Sequence, residues 1–105
     1  MTDTQILKIA TSFTKGILNK NDPKAMCFKV VYPLLSYLYL YGLYTDLIEG
    51  EIETENEIWN HFWLELPDGR ILDPTASQFK TPDGEEMPKI YLGEKPEWYS
   101  ICQGV

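Results

Sequence analysis

The sequence predicts a single α+β domain: N-terminal helices, the second carrying a cysteine at its start, packed on a small antiparallel sheet. Three observations lead there. Apolar residues recur at helical spacing through the N-terminal part of the chain. A strictly alternating stretch, "IWNHFWLEL", follows. It runs directly into "PDGR", a hairpin signal.

Ile6, Ile9, Ala10, Phe13, Ile17 and Leu18 share one face of a helix spanning residues 3 to 18. Gly16 weakens its end, and "NKND" reads as a polar loop. Asp22 suits an N-cap and Pro23 the first turn, so a second helix is expected from residue 23 to Tyr41. Gly42 stops it, and Pro33, which cannot donate to the carbonyl of Lys29, should kink it. This helix is apolar or aromatic on nearly every side, which predicts burial on several faces. Tyr32, Tyr37, Tyr39, Tyr41 and Tyr44 are then core or half-buried packing.

Residues 43 to 52 read as a strand, and Ile58 to Leu66 as a clearer one. In the latter, Ile58, Asn60, Phe62, Leu64 and Leu66 face one way; Trp59, His61, Trp63 and Glu65 face the other. "LPDGR" predicts a three-residue loop: a type I turn, then Gly69 in the left-handed conformation. Leu66 then pairs with Arg70, Trp63 lies opposite Asp73, and His61 and Asp73 become diagonal neighbours on one face. A two-residue loop would put Asp73 on the opposite face. Pro74 ends the ladder or marks an edge. Beyond Gln78 the turn-rich sequence predicts loops, with at most a short strand near "KIYL".

At 105 residues the chain can bury a core without disulfides. Nine basic against 16 acidic residues give a net charge of −7, which argues against nucleic acid and anionic membranes as partners. The first residues read as carrying no apolar signal region, and the longest uncharged run, Val30 to Tyr44, is too short to span a bilayer. Two cysteines and one histidine favour a reducing, cytoplasmic setting with unpaired thiols and no structural zinc. Glu49, Glu51, Glu53, Glu55 and Glu57 read as a solvated strand edge and loop, or as an attractor of basic substrates. Trp59 and Trp63 either wall an acyl slot beside His61 or cover the sheet.

A thiolate nucleophile needs a proton acceptor, and an imidazole acting as one needs a third group to hold its tautomer. Cys27, near a helix N-terminus where the backbone dipole favours thiolate, is the candidate nucleophile. His61 is the only histidine, and hairpin register selects Asp73 as its partner. Each residue also has an ordinary structural role: a small core cysteine, a histidine packed between tryptophans, a turn aspartate.

The segments "MCFKVVYPLLSYLYLYGL" and "NHFWLELPDGRILDPTASQF" resemble the papain-like and transglutaminase-like superfamily of thiol enzymes, over about residues 22 to 79. The likeness rests on a cysteine opening a helix, H-x-W beginning a strand, and D-P-T on the next. It implies Cys27 as nucleophile, His61 as general base and acid, and Asp73 as the group orienting His61. It also implies attack on an amide carbonyl and a thioester acyl-enzyme, resolved by water in a protease or deamidase, or by an amine in a transglutaminase. No metal or cofactor is implied. Phe28 stands where relatives often have tryptophan, and no glutamine precedes Cys27 until Gln5. The backbone N–H of Cys27 supplies one oxyanion donor; Asn21, Asn60 and Gln78 are side-chain candidates, and Trp63 a candidate substrate contact. Lacking cleft-building insertions, such an enzyme would act on a small amide or a peptide end. The alternative is a catalytically silent module of the same fold that binds a protein or peptide through its hairpin face.

Overall fold

The computed structural model describes residues 1–19 and 26–104. Helix α1 (Asp3–Leu18) matches the expected span. A capping box starts it: Thr2 Oγ1 accepts from the Gln5 amide at 3.2 Å, and Gln5 Oε1 accepts from the Thr2 amide at 2.8 Å. Gly16 does not end the helix; Asn19, in the left-handed region at φ 45°, does.

Helix α2 (Cys27–Leu40) has Met26 as its N-cap, so Cys27 is its first helical residue. The expected cap and first turn at Asp22 and Pro23 lie outside the described residues. Pro33 sits within α2 without ending it. At the C-terminus the amide of Gly42 donates to Tyr39 and that of Leu43 to Leu38. With Gly42 at φ 87°, this is the Schellman arrangement that the glycine predicts. Burial departs from expectation: α2 buries only the stripe Val30, Val31, Leu34 and Leu38. Tyr32, Tyr37, Tyr39, Tyr41 and Tyr44 are all exposed. With one neighbouring helix and one sheet face to cover it, α2 has partners on one side only.

Five antiparallel strands follow: β1 (Asp46–Glu53), β2 (Ile58–Glu65), β3 (Ile71–Asp73), β4 (Tyr91–Gly93) and β5 (Tyr99–Gly104), in the order β4-β3-β2-β1-β5. The fold is thus α+β, two helices on an antiparallel sheet. The strand near "KIYL" is β4, whereas β5 was not expected. Because β5 pairs with β1, the glutamate stripe does not run along a sheet edge; Glu49 and Glu51 are half-buried on an interior strand.

The hairpin register agrees with expectation. The Leu66 amide donates to Arg70 at 2.8 Å, the Gly69 amide to Leu66 at 2.9 Å, and Gly69 lies at φ 91°. Leu64 pairs with Leu72 and Glu65 with Ile71, a register that puts Trp63 opposite Asp73. Arg70 forks onto Asp3 at 2.8 and 2.9 Å, tying the start of α1 to the hairpin.

Both sheet faces are covered. On one, Ile6 and Ala10 of α1 and Val31, Leu34 and Leu38 of α2 pack on Leu47, Leu64, Leu66 and Leu72. On the other, Ile48, Ile52, Trp63, Ile71 and Tyr99 form a second core, roofed by Phe79, Met87, Tyr91 and Trp98. The turn-rich segments before β4 and β5, through Phe79, Met87 and Trp98, therefore form a lid over the face that carries His61. Among the described residues no helix is long and apolar enough to cross a membrane.

Gly50 is required by this second core. A Cβ there would run into the Trp63 indole and the Ser100 carbonyl. Gly50→Ala should cost about 1–3 kcal/mol through overpacking. Gly16→Ala, where a Cβ meets nothing, should gain roughly 0.5–1 kcal/mol of helix stability. Urea unfolding of the two variants checks the pair: opposite signs are expected, and equal midpoints would contradict the packing.

Candidate functional site

The site is built where β2 outruns its neighbour. β3 is only three residues long, so among the described residues Ile58 to Phe62 have no ladder partner on that side. Continued, the register puts Pro74 opposite Phe62, and proline has no N–H to extend the ladder. Alternate residues of a strand point their amides the same way, and Leu66 donates toward β3. The Phe62 amide therefore faces the same side, where it meets the Cys27 sulfur at the head of α2.

His61 is fully buried on β2. Its Nε2 lies 2.8 Å from Asp73 Oδ2. A carboxylate accepts, so in the neutral ring Nε2 carries the proton and Nδ1 is the acceptor nitrogen. Nδ1 is also buried and makes no hydrogen bond of ordinary length, while the Cys27 side chain acts on the same imidazole. Phe79 packs edge-on to the ring at 4.7 Å, fixing its plane.

Asp73 is fully buried too. Its Oδ2 accepts from His61 and from the Tyr99 hydroxyl at 2.7 Å; its Oδ1 accepts from the Thr75 amide at 3.1 Å. The last contact is a local turn that Asp before Pro-Thr readily forms. Thr75 Oγ1 in turn accepts from Gln78 Nε2 at 3.1 Å, linking the carboxylate to the 3-10 turn Ala76–Gln78.

The charges follow from this geometry. Burial pushes the Cys27 thiol up, but the hydrogen bond and charge of His61 and the amides of Phe62 and Phe28 outweigh it, leaving the thiol below its ordinary value. Burial alone would lower His61; the charge and hydrogen bond of Asp73, then those of Cys27, reverse this and raise it to about 9. Cys102 contrasts. Partial desolvation and the carboxylates of Glu51 and Glu49 push its thiol up. The two cysteines are unbridged.

Cys27 opens onto a cleft of about 560 Å³, walled by the β1–β2 turn through Glu55 and Glu57, by Trp59 and Asn60, and by Gln78 and Lys80. The structure thus brings Cys27, His61 and Asp73 together and sets Asn60 and Gln78 at the cleft. Asn21 lies outside the described residues. Trp63 is corrected: fully buried in the second core beneath the C-terminal lid, it cannot touch a bound molecule. Trp59 lines the cleft instead, so of the two tryptophans one covers the sheet and one faces solvent. Tyr99 and Thr75 were missed. The D-P-T triplet carries the signal for Thr75, and alternation of Tyr99 with Ile101 is the only one for Tyr99.

Chemically, the array is a thiol, an imidazole and a carboxylate in relay order, beside a cleft and a helix N-terminus. No family model, curated protein or solved structure matches the chain.

Because there is a single histidine, its ring protons report the site without ambiguity. The His61 midpoint should lie near 9 by NMR and fall by more than about one unit in Asp73→Asn. A midpoint near 6.5 in both proteins would contradict the pairing. The folded value lies above the unfolded one, so this pair's contribution is fully present below about pH 6.5 and is lost as pH rises through about 9. In Cys27→Ala, where the thiol no longer titrates against the ring, stability to urea should decline across that window by roughly 1–3 kcal/mol. Adding Asp73→Asn should flatten the decline.

Proposed function

We propose that this protein is a thiol enzyme of papain-like, transglutaminase-like architecture that acts on amide or peptide bonds. The observation that carries the proposal is the convergence of three groups at the mouth of a cleft: Cys27 and His61 act on each other's charge, and His61 Nε2 lies 2.8 Å from Asp73 Oδ2. Two helices on an antiparallel sheet, with the cysteine opening the second helix, are compatible with that architecture. The unbridged cysteines suit a cytoplasmic setting.

In the proposed reaction the Cys27 proton passes to His61 Nδ1, and Sγ attacks the carbonyl carbon of the substrate amide. The resulting oxyanion is held by the Cys27 backbone N–H, with Asn60 or Gln78 as the second donor. The C–N bond then breaks, His61 protonates the departing amine, and a thioester remains on Cys27. Water or an acceptor amine, deprotonated by His61, attacks the thioester; the thiol is regenerated and the acid or a new amide leaves. Asp73 keeps Nε2 protonated throughout, so Nδ1 always faces the sulfur. The open cleft suits a small amide or a peptide end. A silent module binding peptide through the hairpin face is less well supported, because Trp63, the large aromatic on that face, is buried in the second core.

Intact-mass spectrometry after incubation with p-nitrophenyl acetate tests the chemistry directly. One acetyl group is expected on Cys27. It should form about 10²–10⁴-fold more slowly in His61→Ala and not at all in Cys27→Ala. Labelling confined to lysines, equal in all three proteins, would overturn the proposal. Peptide amides then distinguish the classes: ammonia release marks deamidation or transglutamination, and new amino termini mark proteolysis.

A further inference from the structure

Asp73 has a donor that the thiol–imidazole–carboxylate relay does not need. Tyr99 sits on β5 at the far edge of the sheet, opposite Ile52 of β1, with two strands between it and β3. It is 1% exposed, and its ring crosses the covered face edge-on to Trp63 at 5.1 Å. From there its hydroxyl donates at 2.7 Å to Asp73 Oδ2, the same oxygen that accepts from His61 at 2.8 Å.

We infer that Tyr99 is a positioning residue of this site. Its hydroxyl shares Asp73 Oδ2 with His61, and so sets the orientation and the hydrogen-bonding strength of the carboxylate that holds the imidazole. The inference rests on the functional reading above for its catalytic meaning, but its physical content is independent of activity.

Two donors on one oxygen divide its negative charge. Tyr99 thus moderates the pull of Asp73 on the His61 proton, and with the Thr75 amide on Oδ1 it fixes the carboxylate plane. Burial, then the charge of Asp73, keeps the Tyr99 phenol strongly on the neutral side, so it remains a donor at every working pH. The groups acting on His61 are Cys27 from α2 and Asp73 from β3, and the Tyr99 phenol of β5 faces the same carboxylate. Tyr91 of β4 acts on Tyr99, and Glu55, Glu57 and Lys80 lie along the cleft at Cys27. Of the hydroxyls that donate to Asp73, Tyr99 is the close one, at 2.7 Å and on the oxygen that His61 uses; that of Thr75 lies 3.5 Å from Oδ1. The tuning matters for a base that must also act as an acid: an imidazolium held too tightly gives up its proton to a leaving amine too slowly.

Removing the hydroxyl concentrates the carboxylate charge on His61. In Tyr99→Phe the NMR midpoint of His61 should therefore move up by roughly half a unit to one unit. Replacing tyrosine throughout by 3-fluorotyrosine, whose more acidic phenol donates more strongly, should move it down. Both measurements are made on the intact chain and repeated in Cys27→Ala, where no thiol chemistry contributes. Opposite shifts in the two samples establish the inference. An unmoved midpoint in folded Tyr99→Phe, or shifts of the same sign, would show Tyr99 to be core packing alone. Should Tyr99→Phe fail to fold, the fluorotyrosine protein decides by itself: a downward shift supports the inference and no shift overturns it. A shifted midpoint with an unreactive Cys27 would retain the inference while rejecting the enzyme, so the two failures are separable.

Discussion

A buried carboxylate organises this molecule. Asp73 has no solvent exposure, and an ionised carboxylate removed from water costs several kcal/mol unless paired and hydrogen-bonded. Its donors come from three places in the chain: His61 on β2, Tyr99 on β5, and the Thr75 amide just beyond its own strand. Satisfying that one group requires the hairpin register, the β1–β5 pairing and the turn after Pro74 to be correct together. A slip of one residue in the hairpin would turn Asp73 to the helix face and strand its charge against Leu64 and Leu66 of β2.

The second core makes the constraint effective. Trp63, Tyr99, Ile48, Ile52 and Ile71 keep water from the face that carries His61, which strengthens every charge interaction there. Gly50 gives the Trp63 indole its space, and the indole supports the Tyr99 ring. On the opposite face the helices anchor α2 so that its first residue, Cys27, meets the open edge of β2. The three chemical groups thus reach one point by different routes: a helix start, a strand overhang and a strand end.

Much of this was legible because it is local. The five residues "LPDGR" determine the register, and register alone pairs His61 with Asp73. Helix α1 followed from its apolar spacing, and the end of α2 from Gly42. The gaps have physical reasons. Tyr99 reaches Asp73 across 26 residues and the width of the sheet, and no short-range pattern encodes that. β5 follows a run of turn residues, so its short alternation carries little weight. The aromatics of α2 read as core or half-buried because apolarity favours burial; burial also requires a partner, and only one side of α2 has one. Trp63 and Trp59 share a strand face, but the lid that separates their fates is made by a distant segment.

The most direct test of the central claim is the rate at which iodoacetamide modifies Cys27 from pH 4 to 10, measured in Cys102→Ser protein with and without His61→Ala. The expected result is an apparent pKa well below about 8.5 that returns toward that value when His61 is removed. A thiol that reacts only above pH 8.5, or that titrates identically without His61, would contradict it.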